Sequence, residues 1–373
     1  MSHERVTRAQ SLLGTLGVDG ILVTNGTNRR YITGFTGEDH AADELSGEVL
    51  ITANGVYLFE PKTNLPWAQA EAYEGVEVLP QERRWTDTVA NVIIEQGLRT
   101  VGFEDATTTV QVYNNLVEAL DGKGVELRPV GDAVDSLRAV KDDDEVALLQ
   151  RALQMTDEAF VAAERRMRVG MTEKQVADII REELRNAGSE GEAFDTIVAS
   201  GPNAAKPHHS PGDRVIEEGE PIIIDMGALH QGYAGDLTRT VWFGQPSEQL
   251  VTIYRIVQEA HDACIANAAP GMTGVELDAV ARDIFAKHEL DQYFVHSLGH
   301  GLGLRVHEAP SASSRSTDTL EPGHVVTIEP GLYFPDWGGV RIENVVVITA
   351  DGARNMTTAP KRAIDESLTG ELS

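Results

Sequence analysis

A chain of 373 residues exceeds the length over which one hydrophobic core usually keeps growing, and 41 % hydrophobic residues suffice for ordinary globular packing, so two domains are expected. Lysine and arginine number 31 against 59 aspartates and glutamates, and 31 − 59 leaves −28, a field that repels nucleic acid and anionic membranes and excludes both as partners. The single cysteine, Cys264, has no partner for an intramolecular disulfide, and no window approaches the roughly 18 apolar residues of a membrane span, so a soluble cytoplasmic protein is expected.

The first third alternates helical and extended patterns. A helix is expected near residues 4–16, followed by the strand GILVT, the segment RRYITGFTG, and the strands VLITA and VYLFE around Asn54-Gly55, a strong hairpin-turn signal. VEVLP, a helix through TVANVIIEQG, the strand TVGFE, a helix around VYNNLVEALDG and finally VELRPV complete a mixed α/β unit without a catalytic cluster. Periodicity fails in GDAVDSLRAVKDDD, whose closing acids suit the start of a helix, so the domain boundary is placed there, with an N-terminal domain over 1–135 and a second over 141–373. The helix that follows gathers Val146, Leu149, Leu153, Phe160, Ala163 and Met167 on one apolar face.

The second domain holds a weak internal repeat. GMTEKQVADIIREEL begins at Gly170 and GMTGVELDAVARDIF at Gly271; each follows a long amphipathic helix, and each threonine opens a capping box, Thr172 with Gln175 and Thr273 with Glu276. Strand patterns follow both helix pairs, which predicts two related halves with a cleft where they meet. Cys264 lies in the helical run IVQEAHDACIANAA and reads as a small buried thiol.

Carboxylates interrupt the apolar strands of this domain. PIIIDMG carries Asp225, and GYAGDLTRTVWFG, the returning strand of a hairpin turning near His230-Gln231-Gly232, carries Asp236, so a symmetric hairpin would set the two aspartates directly across from each other. Glu329 ends the strand in VVTIEPGLY, and Glu343 sits inside GVRIENVVVIT. Buried carboxylates cost several kcal/mol unless paired or metal-bound. Thr238, Arg239 or backbone donors offer the aspartates a purely structural alternative, and an ion pair with Arg341 offers one to Glu343. One arginine cannot neutralise four carboxylates. With His300, in the glycine-rich YFVHSLGHGLGLRVHEAP, four carboxylates and a neutral imidazole balance two divalent cations, and oxygen-rich coordination favours manganese, with cobalt or zinc as alternatives.

In the order FDTIVASGPNAAKPHH, IIIDMGALHQGYAGDLTRT, HSLGHGLGLRVHE, TIEPGLY and VRIEN, the chain resembles the prolidase, aminopeptidase P and methionine aminopeptidase superfamily over about residues 141 to 365. RRYITGFTG also resembles the start of prolidase and creatinase chains, which argues against methionine aminopeptidase. The resemblance implies an α+β chain: a pita-bread catalytic domain of two pseudo-symmetric halves, preceded by a smaller mixed α/β creatinase-like N-terminal domain, and usually a homodimer. It implies that Asp225 binds one metal, that His300 and Glu329 bind the other, and that Asp236 and Glu343 bridge them. His208, with adjacent His209 as a one-residue alternative, matches a histidine near the scissile bond; His296 and His307 match positions lining the substrate site.

The expected reaction is hydrolysis of the Xaa-Pro imide bond of a dipeptide by a metal-bridging hydroxide, with Glu329 as proton shuttle and His208 or His296 donating to the oxyanion. Arg341 would orient Glu343 and help bind substrate, Phe194 would contribute to a proline pocket, and Arg315 would receive a dipeptide's carboxylate. An aminopeptidase P acting on longer Xaa-Pro peptides is the nearest alternative. A catalytically inactive pita-bread binding module and a hydrolase or lyase of a small non-peptide are more remote ones.

Overall fold

The computed structural model describes residues 2–39, 41, 45–82 and 84–363, so the tail of the expected second domain, 364–373, lies outside the described residues. The chain divides into two compact units, Met1–Arg138 and Ala139–Ser373.

In the first unit a six-stranded mixed sheet runs in the order Val76–Pro80, Val56–Glu60, Glu48–Thr52, Gly20–Val23, Thr100–Phe103, Glu126–Pro129. Asn54-Gly55 closes the antiparallel pair as its sequence demands, with Ile51 opposite Val56 and the Thr52 hydroxyl accepting from the N–H groups of Asn54 and Gly55. RRYITG lies largely in helix Gly26–Thr33, which the Asn25 side chain caps and Gly34, at φ +80°, ends.

The second unit repeats one plan twice. Helices Asp143–Arg166 and Glu173–Asn186 pack Met155, Phe160, Val176 and Ile180 onto Ile222 and Ile224 of a three-stranded antiparallel sheet, Leu237–Val241, Ile222–Met226, Ile197–Ser200. Helices Glu248–Asn267 and Gly274–Lys287 pack Leu250, Tyr254, Leu277 and Phe285 onto Val326, Ile328 and Val346 of a five-stranded sheet. Both capping boxes form. The repeat extends to the backbone: Gly170 and Gly271 take φ +90° and +89°, and their N–H groups donate to Ile216 and Leu320 at 3.0 and 2.8 Å. Two pseudo-symmetric halves of helix pair over antiparallel strands make this the pita-bread arrangement. The apolar face of helix Asp143–Arg166 is buried at Leu149, Leu153, Phe160 and Ala163, and Cys264 is buried in its helix.

The hairpin after Ile222–Met226 departs from expectation. Its turn is the two-residue Gln231-Gly232, both at positive φ, +46° and +77°, which moves the symmetry axis towards the C-terminus. Asp225 therefore faces Thr238, not Asp236, and Asp236 lies outside a strand, just before Leu237–Val241.

Candidate metal centre and its cavity

Three of the four acids reach the site from breaks between strands. Asp225 alone lies within a regular strand. Asp236 fills the gap between Tyr233–Ala234 and Leu237–Val241. Glu329 follows Val325–Ile328, where the chain leaves the five-stranded sheet for the pair Gly331–Phe334 and Gly338–Arg341, and Glu343 stands where it returns as Asn344–Thr349. Glu343 is thus at a junction between strands rather than inside one. Such junctions let a carboxylate leave the period-two alternation and point inward between apolar neighbours.

Carboxylate oxygens of Asp225, Asp236 and Glu343 lie within 4.8 Å of one another. His300 Nε2 stands 3.8 Å from Asp236 Oδ2 and 3.2 Å from Glu329 Oε1, so Asp236 joins the two groups. The His300 Nδ1–H donates to the Gly301 carbonyl at 3.1 Å, which leaves Nε2 for a ligand; a second bond of this kind commonly orients metal-bound histidine. Oδ1 of Asp225 and Oε1 of Glu343 are buried without a hydrogen-bond partner. These orphaned acceptors are what a cation would satisfy, and the donor set, four carboxylates and one imidazole, fits divalent ions.

The electrostatics show the same deficit of positive charge. Burial, then the neighbouring Glu343 and Asp225, push the Asp236 carboxyl well above its usual range. Burial and the charges of Glu329 and Asp225 raise Glu343 to about 8. Burial also raises Asp225, although the Arg341 guanidinium opposes it. At the other end burial works against a pair that wins: it disfavours charge on both His300 and Glu329, yet their mutual hydrogen bond and attraction take His300 up to about 9 and Glu329 down to about 2.

Arg341 does not orient Glu343. Its Nη2 pairs with Asp225 Oδ2 at 2.6 Å, Nε donates to Thr238 Oγ1 at 3.1 Å, and Nη1 donates to Tyr333 Oη at 2.8 Å and the Pro207 carbonyl at 3.3 Å. The Thr238 hydroxyl holds Glu343 instead, donating to Oε2 at 2.7 Å. The register explains the exchange: with Asp225 opposite Thr238, the guanidinium meets the aspartate first.

These groups form one wall of a cavity of about 630 Å³, also lined by Phe194, His208, His209, His296, His307 and Ser311. Both ring nitrogens of His296 are engaged, Nδ1 with the Ser297 carbonyl at 2.7 Å and Nε2 with Tyr333 Oη at 2.8 Å, so this ring has no N–H left for an oxyanion. His307 packs edge-on against His300, ring centres 4.4 Å apart. Phe194 is half-buried at the cavity wall rather than in the core. Arg315 is exposed in the turn after Glu308–Ala312 and lies outside the cavity lining.

Sequence reasoning passed over Tyr333, whose hydroxyl links Arg341 to His296, and Glu173, which grips the loop bearing His208. Tyr333 closes the TIEPGLY motif; Glu173 stands in sequence as a helix-start acid, and its signal is only three-dimensional.

Residues 147–350 match the model of metallopeptidase family M24, and residues 5–140 match the Creatinase/Prolidase N-terminal domain. A Xaa-Pro dipeptidase of Pyrococcus horikoshii is 34 % identical over 364 residues, 97 % of this chain and 99 % of its own. The solved structure of a Xaa-Pro dipeptidase from Bacillus anthracis superposes with a TM-score of 0.92 at 38 % identity, covering 98 % of this chain and 99 % of the other. That of an X-Pro aminopeptidase from Thermotoga maritima gives 0.86 at 32 % identity, covering 95 % and 99 %. Among the described residues no helix is long and apolar enough to cross a membrane.

Proposed function

The chain belongs to metallopeptidase family M24 and carries a Creatinase/Prolidase N-terminal domain, and from that premise we propose that it hydrolyses the Xaa-Pro imide bond of dipeptides with two divalent ions, manganese foremost. The observation that carries the two-ion reading is the pair of orphaned buried oxygens on Asp225 and Glu343, beside a separate His300–Glu329 pair. Asp225, Asp236 and Glu343 would hold one ion, and Asp236, His300, Glu329 and Glu343 the other. When bound, such ions supply Lewis acidity and a water nucleophile at neutral pH.

The chain's own groups complete the reaction. Phe194 offers its ring to the proline, which has no N–H to recognise, so shape and apolar surface select it. His208, exposed at the cavity mouth, donates to the oxygen of the scissile carbonyl as charge develops there; His296 is held by Ser297 and Tyr333 and serves as a wall. Glu329, at the cavity wall with its Oε1 3.2 Å from His300 Nε2, takes the proton of the attacking water and returns it to the proline nitrogen as the C–N bond breaks. Arg341 fixes Asp225, and Thr238 fixes Glu343.

A second reading, release of the first residue from longer Xaa-Pro peptides, is favoured by the likeness to the Thermotoga maritima X-Pro aminopeptidase and by the position of Arg315 outside the cavity. Parallel assays in Mn²⁺ decide between them: a Xaa-Pro dipeptide should turn over at least as fast as Xaa-Pro-Xaa peptides. Turnover of the longer substrates alone would overturn the dipeptidase assignment.

A further inference from the structure

The loop that carries His208 is fastened on both sides of that residue. On one side the Pro207 carbonyl accepts from Arg341 Nη1 at 3.3 Å, which ties the loop to the guanidinium paired with Asp225. On the other, the His209 ring meets Glu173 at 2.8 Å. Glu173 opens helix Glu173–Asn186 and is wholly buried. Its Oε1 accepts from the Ser200 N–H at 2.9 Å, the Ser200 hydroxyl at 2.8 Å and Asn203 Nδ2 at 3.0 Å, and its Oε2 also accepts from the Gly212 N–H at 3.0 Å. All of these donors belong to segment 200–212. Burial opposes the charge on Glu173, but the donors outweigh it and hold the carboxyl below its usual value. The carboxylate is therefore acceptor-only, and His209 Nε2 carries the hydrogen between them.

The pseudo-symmetric half provides an internal control. There the residue after the capping threonine is Gly274, whose N–H donates to Asp318 at 2.8 Å as that of Glu173 does to Arg214 at 3.0 Å. A Cβ on Gly274 would stand 2.1 Å from the Ser311 carbonyl. The same helix start thus forms without a side chain at this position, and helix initiation does not explain Glu173. The carboxylate holds a loop that reaches the cavity, where Pro207, His208 and His209 all contribute to the wall.

We propose that Glu173 is a positioning residue: through His209 and the loop backbone it sets where His208 stands over the carboxylate floor, and so governs turnover of a peptide it does not touch. The kinetic part of this inference rests on the peptidase reading above; the structural part does not.

The test uses the full Mn²⁺-loaded chain. In Glu173→Gln, amide hydrogen exchange across 200–212 should accelerate at least about tenfold as a local opening, while exchange in Ile222–Met226 and the number of bound Mn²⁺ ions stay as in the parent. Turnover of a Xaa-Pro dipeptide should fall about 10- to 100-fold in kcat, as expected for a misplaced catalytic group, with a smaller change in KM. In a His208→Ala background the same substitution should cost less than about twofold, because the group it positions is gone. His209→Asn, which removes one contact at a half-buried position, should move the same readings in the same direction by less, and it carries the test if Glu173→Gln does not fold. Unchanged loop exchange, loss of Mn²⁺, or an undiminished effect in the His208→Ala background would each overturn the proposal. A parent chain that cleaves no Xaa-Pro peptide would overturn the peptidase reading, whereas the exchange measurement still decides the tether.

Discussion

Asp236 sits between Asp225 and Glu343 on one side and His300 on the other, and its carboxyl is raised by burial and by both acidic neighbours. Without cations its charge is a liability to the fold; with them it is shared. Asp236→Asn should therefore abolish turnover and Mn²⁺ retention, yet raise the Tm of the second unit in the chelated protein by a few degrees at pH 8, since ~1 kcal/mol corresponds to roughly 2–4 °C in a unit of this size. Differential scanning calorimetry of both proteins in chelator checks this, and a lower Tm for the variant would contradict it. The pH response of the chelated parent follows from the same groups. Glu343, raised from 4.5 to about 8, contributes stability that is full below 4.5 and lost as pH rises through about 8. His300, raised from 6.5 to about 9, contributes stability that is full below 6.5 and lost as pH rises through about 9. Both slopes have one sign, so the Tm of the chelated chain should fall between pH 6 and 9 relative to that of the Mn²⁺-loaded chain, and Mn²⁺ affinity should climb over the same window as the competing protons leave. Parallel melting curves and Mn²⁺ titrations across that range would expose an affinity that is flat or falls.

At the scale of elements, the repeated Gly-Met-Thr helix starts were legible because capping boxes are local chemistry, and both form as read. The hairpin at Asn54-Gly55 was legible for the same reason. The second hairpin was legible as a turn near His230-Gln231-Gly232, but its register was not, because Gln231 adopts φ +46°, a conformation its side chain does not advertise. Displacing the turn axis changed the partner of Asp225 to Thr238, and with it the partners of Arg341 and Glu343. The acids themselves were visible as breaches of apolar runs, but whether each stood inside a strand or at a junction depended on where the chain changes sheets, which periodicity does not encode. Arg315 was legible only as an arginine in a loop, and its direction was not. Gln231→Asn, giving Asn-Gly at a two-residue turn with positive φ, should stabilise the second unit by up to ~1 kcal/mol. Thermal unfolding checks it, and a destabilised variant would contradict the turn geometry.

For the whole molecule, composition and charge weigh against polyanionic partners and name none, whereas ordered motifs in the second unit carried the family. Two units, one with a dense cluster of ligating groups and one without such a cluster among its described residues, match a metallopeptidase domain following a Creatinase/Prolidase N-terminal domain. Fold and family are common to dipeptidases and aminopeptidases, so they do not decide substrate length. The proposed pair of divalent ions is what makes buried acids in apolar β-structure tolerable. The most direct test of that proposal is Mn²⁺ titration of the chelator-dialysed full chain, with bound metal and Xaa-Pro hydrolysis followed together. Two ions per chain should bind, and hydrolysis should be absent before loading and rise with their uptake; full hydrolysis by the metal-free chain, or saturation with no Mn²⁺ bound, would contradict it.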